Sequence, residues 1–152
     1  MQTKFFINWL KLACIITGLT GMIAAAASTV SGSGIWLFLF DLLKWPLNND
    51  PSGFQDETLA VNAVLGGVML GWATLMFFLV NGPISKGNTE LIKYILIALI
   101  VWFLVDSTGS VLAGLSANVV LNVLFLALFI PPLMALRRNA GINKSILARE
   151  DN

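Results

Sequence analysis

Four long apolar stretches, separated by short polar segments, dominate the pattern of this chain. With one exception they carry no charged side chain, and they run over about 12–30, 58–80, 94–114 and 115–136. Each is close to the ~20 apolar residues that an α-helix needs to cross ~30 Å of hydrocarbon. The pattern therefore predicts an all-α membrane protein, a four-transmembrane-helix bundle formed by a single domain over 1–152 with a polar tail over 137–152.

A fifth apolar stretch, over about 35–47, is too short to cross a membrane and contains Asp41 and Lys44. Since these two side chains are three residues apart, they share a helix face and can form an ion pair. Helix-breaking residues at 31–34 precede the stretch, and turn-forming residues at 48–53 follow it. We expect a short interfacial helix on the outer face of the membrane, or alternatively a helix that packs over the mouth of the bundle.

The first apolar stretch has a second interpretation. A basic start with Lys4 and Lys11, an apolar middle and the small residues at 25–27 are also typical of a secretory signal. We expect that the stretch is instead retained as the first membrane span.

The distribution of Lys and Arg determines the predicted orientation. With four spans, the N-terminus, the loop after the second span and the C-terminal tail lie on one side of the membrane. Of the nine Lys and Arg residues, all except Lys44 fall on that side. Because basic residues concentrate in cytoplasmic segments, both termini are predicted to be cytoplasmic.

Composition supports a bilayer environment and argues against several kinds of site. The chain is 57% hydrophobic and 11% charged, whereas soluble domains contain about a quarter charged residues. A net charge of +1 gives no basic face for nucleic acid. With no His and one Cys, the usual ligands of haem and zinc and the usual general base are missing. We therefore expect a protein that is not an enzyme, with no catalytic residue and no metal site.

Asp106 is the only charged residue inside a predicted span. It precedes Leu112 by six residues, which places it about 9 Å below the end of its helix at 1.5 Å per residue. Antiparallel spans bring other polar residues to a similar depth, so the sequence predicts one polar layer in the outer half of the bundle. Its members are Ser28, Thr29, Asn62, Asp106, Ser107, Ser110, Asn118 and Asn122. The 35–47 segment would cover this layer.

Two roles remain open for Asp106. An intramembrane carboxylate is costly and commonly marks a path for protons or cations. A structural carboxylate would instead accept hydrogen bonds between helices, at ~0.6 kcal/mol per contact. Our leading hypothesis is a non-enzymatic membrane protein, either an accessory subunit of a membrane complex or a binder of an apolar ligand. The alternative is a small proton- or cation-coupled transporter that uses Asp106.

Two further patterns concern packing inside the membrane. Aromatic rings near mid-span could line a groove for a lipid tail, a quinone or a carotenoid, or could simply pack together; they are Trp72, Trp102, Phe103 and Phe125. Small residues let helices approach closely, within the bundle or against a second copy; they are Gly21, Gly67, Gly71 and Gly109. The predicted partners are therefore the lipid bilayer and other membrane proteins or a second copy.

Four short segments carry a resemblance to a known group of proteins. They are Trp45-Pro46-Leu47, Asp50-Pro51-Ser52-Gly53, the glycine-rich run at 64–72 and the run Val105-Asp106-Ser107-Thr108-Gly109-Ser110. Together they resemble small bacterial four-span membrane proteins of uncharacterised function. The resemblance implies the inner membrane of a bacterium and carries over no catalytic residue. The chain differs from claudins, which need a cysteine pair in the first outer loop, and from small multidrug transporters, whose key acid lies in the first span.

Overall fold

The computed structural model describes residues 2–44 and 46–150, with side chains as far as Gly141. Within these ranges the chain forms only helices, namely α1 (Gln2–Ala26), α2 (Gly34–Lys44), α3 (Asp56–Leu79), α4 (Leu91–Leu112) and α5 (Asn118–Glu150). A π-helical turn at Val80–Ile84 extends α3. The helices that are long and apolar enough to cross a membrane are Gln2–Ala26, Asp56–Ile84, Leu91–Leu112 and Asn118–Gly141. The predicted all-α architecture with four long apolar helices is confirmed.

The helix bounds differ from the predicted bounds mainly at the two ends of the chain. α1 begins at Gln2 rather than near residue 12, because Ile7 and Leu10 in its first turns are buried in the core. α5 does not end near residue 136 but continues to Glu150. The predicted tail over 137–152 is therefore helical as far as the structure describes it.

The π-helical turn lets α3 continue past a proline. Pro83 has no N–H and its ring crowds the preceding turn of a regular helix, so a helix normally ends or kinks there. Here the N–H of Ser85 donates to the Val80 carbonyl at 3.1 Å, and that of Asn88 donates to the Pro83 carbonyl at 3.0 Å. These wider bonds keep the chain helical and leave Val80 and Ile84 buried in the core.

The main hydrophobic core lies where α1 and α4 begin, where α3 approaches its end, and around the middle of α5. We call this the lower end, and the opposite end, with α2 and the turn between α4 and α5, the upper end. All four long helices contribute to this core, through residues that include Leu10, Cys14, Met76, Val80, Ile92, Leu99, Phe129 and Leu133. The lower end is therefore a closed four-helix core.

The upper half has no such common core among the described residues. On α4, no residue from Leu99 to the upper end of the helix is buried apart from Leu99 itself. On α5, Asn122 is the only buried residue between the upper end of the helix and Phe129. The helices contact each other there as two pairs, α1 with α3 at Gly21 and Gly66, and α4 with α5 at Asp106 and Asn122. α1 also contacts α5 in the bundle, so the two pairs remain joined.

Glycine allows the close contact between α1 and α3. A Cβ on Gly66 would collide with the backbone of Ala25 and Gly21, and a Cβ on Gly21 would lie 2.9 Å from the Leu70 nitrogen. The prediction for Gly21 therefore holds within the chain, but the glycine that faces it is Gly66. Gly67, Gly71 and Gly109 do not pack within the chain, since a Cβ on any of them would meet nothing within 4 Å. Their packing against a second copy stays a prediction.

α2 packs across the upper end of α1. Its Trp36 is buried against Ala24 and Ala27, and Phe40 joins this cluster with Phe54 from the following loop. No residue of α4 or α5 belongs to the cluster. We predicted that α2 would cover a polar layer common to the four spans. Because α2 packs on the α1 side, this cluster does not provide that cover. Trp45, within the predicted 35–47 segment, lies outside the described residues.

The loop after α2 binds the Asp41 carboxylate through its backbone. The N–H groups of Asn48 and Asn49 donate to the two Asp41 oxygens at 3.1 Å each, and the Asp50 N–H donates at 3.4 Å. The bond from Asn48 contributes most to lowering the pKa of Asp41 below 3.8, although burial opposes the shift. Lys44 pairs with Asp50 at 3.9 Å rather than with Asp41. The expected Asp41–Lys44 pair is wrong, since the backbone donors occupy the carboxylate.

Candidate functional site

A tight turn places the polar residues of α4 and α5 opposite each other. Gly114 has a φ of 80°, which favours glycine, and lies just beyond the end of α4. The Leu115 N–H donates to the Ser110 carbonyl at 2.8 Å, and the Gly114 N–H donates to the Val111 carbonyl at 3.1 Å. This pair of bonds is the Schellman motif that commonly ends a helix. The turn reverses the chain within a few residues, so the end of α4 faces the start of α5.

Three side chains donate hydrogen bonds to a single oxygen of Asp106. Its Oδ1 accepts from the Ser110 hydroxyl at 3.1 Å and from the amide nitrogens of Asn118 and Asn122 at 3.0 Å each. Residues four apart on a helix share a face, which is why Asp106 and Ser110 meet Asn118 and Asn122 across the interface. The predicted meeting of Asp106 and Ser110 with Asn118 and Asn122 is therefore found in the structure.

The two amides also connect the neighbouring hydroxyls. The Asn118 nitrogen lies 2.8 Å from Ser110 Oγ, and the Asn122 nitrogen lies 3.1 Å from Ser107 Oγ. Asn122 is only 3% exposed, whereas the other members are partly exposed. These five side chains, which we call the Asp106 cluster, form one hydrogen-bonded unit between α4 and α5.

The second oxygen of Asp106 has a different environment. Oδ2 accepts no hydrogen bond from any residue that the structure describes, and Asp106 is half-buried. The ion pair found among the described residues is Lys44–Asp50, so no cation of this chain neutralises Asp106 there. The cluster can therefore hold a positive or hydrogen-donating group at Oδ2. It contains no His or Lys that would activate Ser107 or Ser110 as a nucleophile.

The remaining members of the predicted polar layer lie elsewhere. Asn62 is 2% exposed and donates from its amide nitrogen to the Ala27 carbonyl at 3.2 Å, across the α1–α3 contact. Thr29 accepts from the Gly32 N–H at 3.2 Å and donates to the Ala26 carbonyl at 3.2 Å, within the turn after α1. Asn62 and Thr29 therefore bond to α1 and the turn after it and not to the Asp106 cluster, while the shared depth of these residues stays a prediction. Ser28 lies in the same turn.

The predicted aromatic groove is divided between two contacts. Trp72 packs edge-on against Phe129 with ring centroids 5.4 Å apart, at the top of the main core. Trp102 packs edge-on against Phe125 at 6.2 Å, one turn below Asp106 on α4. Phe103 is half-buried and belongs to neither pair. The two tryptophans thus take part in separate packing contacts rather than in one groove.

An apolar groove occurs instead between α1 and α3, with a volume of about 250 Å³. Its walls include Cys14, Gly18 and Met22 on α1 and Leu70, Ala73 and Phe77 on α3. The sequence signal for this groove is the small pair Gly18 and Ala73, which lets α1 and α3 stay close below their contact at Gly21 and Gly66. Helical spacing alone did not predict it, because the pair is far apart in the sequence.

The described residues contain no group of three or more His, Cys, Asp or Glu side chains that could hold a metal ion. The functional candidates are therefore the Asp106 cluster and the α1–α3 groove. Comparison with protein-family models, curated proteins and solved structures finds no match to this chain.

Proposed function

We propose that this chain is a four-span integral membrane protein with both termini in the cytoplasm. Its four long apolar helices support membrane insertion, and the concentration of Lys and Arg at the lower end supports the orientation. α2 then lies at the outer interface, where it rests on the end of α1. The resemblance to small bacterial four-span proteins favours the inner membrane of a bacterium.

We infer that the protein works by binding rather than by catalysis, as an accessory subunit of a membrane complex. The observation that carries this proposal is Asp106 Oδ2, a carboxylate oxygen inside a span that accepts no hydrogen bond from a described residue. An aspartate costs ~2.5–3.5 kcal/mol at the centre of a spanning helix on insertion scales, and Asp106, six residues from the upper end of α4, carries a smaller cost of the same kind. A partner that brings a positive or hydrogen-donating group to Oδ2 would offset this cost.

The partner would be a different membrane protein rather than a second copy. The basic residues of the spanning helices lie toward the lower end, and Lys44, which ends α2 at the upper end, pairs with Asp50 at 3.9 Å. A second copy would therefore bring another carboxylate and no cation. A basic side chain at matching depth in the span of another protein would form the complementary pair.

The size of the native complex tests this proposal. The tagged full chain and its Asp106→Asn variant are extracted from native membranes in mild detergent and compared by native electrophoresis. The wild type is expected in a larger particle that Asp106→Asn loses, because the amide removes the charge while keeping the shape. Asp56→Asn is the matched control, since Asp56 is exposed in the first turn of α3. Particles of equal size for wild type and Asp106→Asn would contradict docking through Asp106.

The same cluster supports a second candidate, a proton- or cation-coupled transporter. Asp106 is partly exposed, and its carboxylate lies in one cluster with the hydroxyl oxygens of Ser107 and Ser110, which are oxygen ligands of the kind that hard cations take. In sealed vesicles, a transporter would give a proton or sodium flux that Asp106→Asn abolishes while the variant stays folded. Vesicles without such a flux would remove this candidate and leave the binding role unaffected.

A further inference from the structure

The α1–α3 groove has the dimensions of an elongated apolar ligand. From Cys14 to Met22, the α1 wall rises about 12 Å at 1.5 Å per residue. The groove has a volume of about 250 Å³, and its walls are almost entirely apolar. The hydroxyl of Thr74 in the α3 wall donates to the Leu70 carbonyl at 2.8 Å, so it is already satisfied. The walls therefore suit a hydrocarbon chain rather than a polar molecule.

The groove arises from two small residues below the helix crossing. At Gly21 and Gly66 the backbones of α1 and α3 touch. One turn lower, a Cβ on Gly18 would lie 3.7 Å from the Ala73 Cβ, in ordinary van der Waals contact. Both residues are buried, and they line the groove together with larger, exposed side chains such as Leu19 and Met22. The groove is thus a property of the α1–α3 packing.

Positive charge lies at the lower end of the groove. Lys11 precedes Cys14 by three residues and Gly18 by seven, so helical periodicity places it on the same face of α1. Lys4 lies a further seven residues down on that face. Lys11 is half-buried and Lys4 is exposed. The ion pair present in the described part of the chain involves neither of them.

We propose that this groove binds the acyl chain of an anionic phospholipid, whose phosphate is held by Lys11 and Lys4. The basic end of the groove lies on the side proposed as cytoplasmic, and anionic lipids there attract Lys and Arg near the membrane surface. A zwitterionic lipid would fit the apolar walls equally well but would not satisfy the two lysines as fully. The proposal rests on the membrane placement proposed above and is independent of the role of Asp106.

Native mass spectrometry of the purified full chain tests the headgroup contact. The protein in detergent is titrated with phosphatidylglycerol or phosphatidylcholine that have identical acyl chains. We expect the wild type to bind more phosphatidylglycerol, and Lys11→Gln to reduce that binding about fivefold. Lys93→Gln is the matched control, since Lys93 is an exposed lysine toward the lower end on α4, which does not line the groove. The control variant should bind like the wild type.

A second variant tests the groove itself. Gly18→Leu places a side chain against Leu70 and Ala73 without changing the charge, so it should reduce phosphatidylglycerol binding. Gly67→Leu adds the same side chain where a Cβ meets nothing within 4 Å, and should leave binding unchanged. Helix content and melting without added lipid identify a variant that fails to fold, in which case Gly18→Ala replaces it.

Equal binding of the two lipids by the wild type, or equal effects of Lys11→Gln and Lys93→Gln, would overturn the headgroup site. Unchanged lipid binding by folded Gly18→Leu would overturn the groove. Asp106→Asn should retain the preference for phosphatidylglycerol, so failure of the docking role leaves this result intact. A chain that does not insert into vesicles would instead contradict the membrane placement.

Discussion

The two helix pairs of the upper half are held together by different means. α1 and α3 meet through backbone contact at Gly21 and Gly66, with one side-chain hydrogen bond from Asn62 to the Ala27 carbonyl. α4 and α5 meet through the Asp106 cluster, in which three donors converge on one carboxylate oxygen. One contact depends on shape and the other on hydrogen bonding.

This difference has a physical cause and a functional consequence. Inside a bilayer the hydrophobic effect does not drive helices together, so close packing and interhelical hydrogen bonds must do so. Backbone contact at Gly21 and Gly66 leaves no polar group free to bind a further molecule, whereas the carboxylate of the Asp106 cluster retains an open oxygen. The polar pair is therefore the better candidate for docking a charged or hydrogen-donating group, and the glycine contact contributes mainly to stability.

The largest expected effect on stability comes from filling the glycine contact. Gly66→Leu would force α1 and α3 apart, because even a Cβ there collides with the backbone of Ala25. We expect a loss of about 3 kcal/mol in the free energy of unfolding, at the upper end for overpacked cores. Unfolding in mixed micelles, followed by circular dichroism, measures it. Gly67→Leu should change stability little, and equal losses in both variants would contradict the assigned contact.

The sequence predicted the α4–α5 contact well because that contact is local. A short turn joins the two helices, so their depth and antiparallel direction follow directly from the chain. Helical spacing then places Asp106 and Ser110 opposite Asn118 and Asn122. The neighbours in the structure are the ones that this reasoning predicted.

The rest of the predicted site depended on how distant helices pack, which spacing alone cannot determine. The sequence contains Gly66 and Gly67 side by side, and only the rotation of α3 decides which one faces α1. The same rotation lets Asn62 donate to the Ala27 carbonyl. The Asp41–Lys44 pair was wrong for a similar reason, because helical spacing does not show that the backbone of the 48–50 loop folds back onto Asp41.

A smaller effect is expected from removing the buried donor of the polar pair. Asn122→Leu keeps the approximate size of the side chain but removes the amide that donates to Asp106 and Ser107. At ~0.6 kcal/mol per contact, the loss in the free energy of unfolding should be about 1 kcal/mol. A double-mutant cycle with Asp106→Asn should show that the two losses do not add. Strict additivity would mean that the two side chains do not interact.

The single polar contact of the other pair should contribute less. Asn62→Leu removes the donor to the Ala27 carbonyl, and we expect a loss of ~0.6 kcal/mol in the same unfolding measurement. The backbone contact at Gly21 and Gly66 remains, so α1 and α3 should stay together. A loss larger than that of Asn122→Leu would reverse the comparison between the two pairs.

The smallest effect is expected at the upper end of the α1–α3 pair, where α2 rests on α1. The N–H groups of the 48–50 loop bind the Asp41 carboxylate and hold the pKa of Asp41 below 3.8. Because the pKa of Asp41 is lower in the folded state than in the unfolded state, these hydrogen bonds stabilise the fold fully at pH values above 3.8. The stabilisation is lost as the pH falls through the lowered pKa. The amide proton shift of Asn48 should therefore stay constant down to about pH 4 and change below it.

Two variants separate the carboxylate of Asp41 from its neighbours. Asp41→Asn should abolish the acid transition of the Asn48 amide, since an amide side chain does not titrate in this range. Asp50→Asn removes an exposed carboxylate from the same loop and should keep the transition, although it loses the pair with Lys44. A transition that persists in Asp41→Asn would mean that another group controls the loop. The acid transition would then report on something other than the binding of the 48–50 loop to α2.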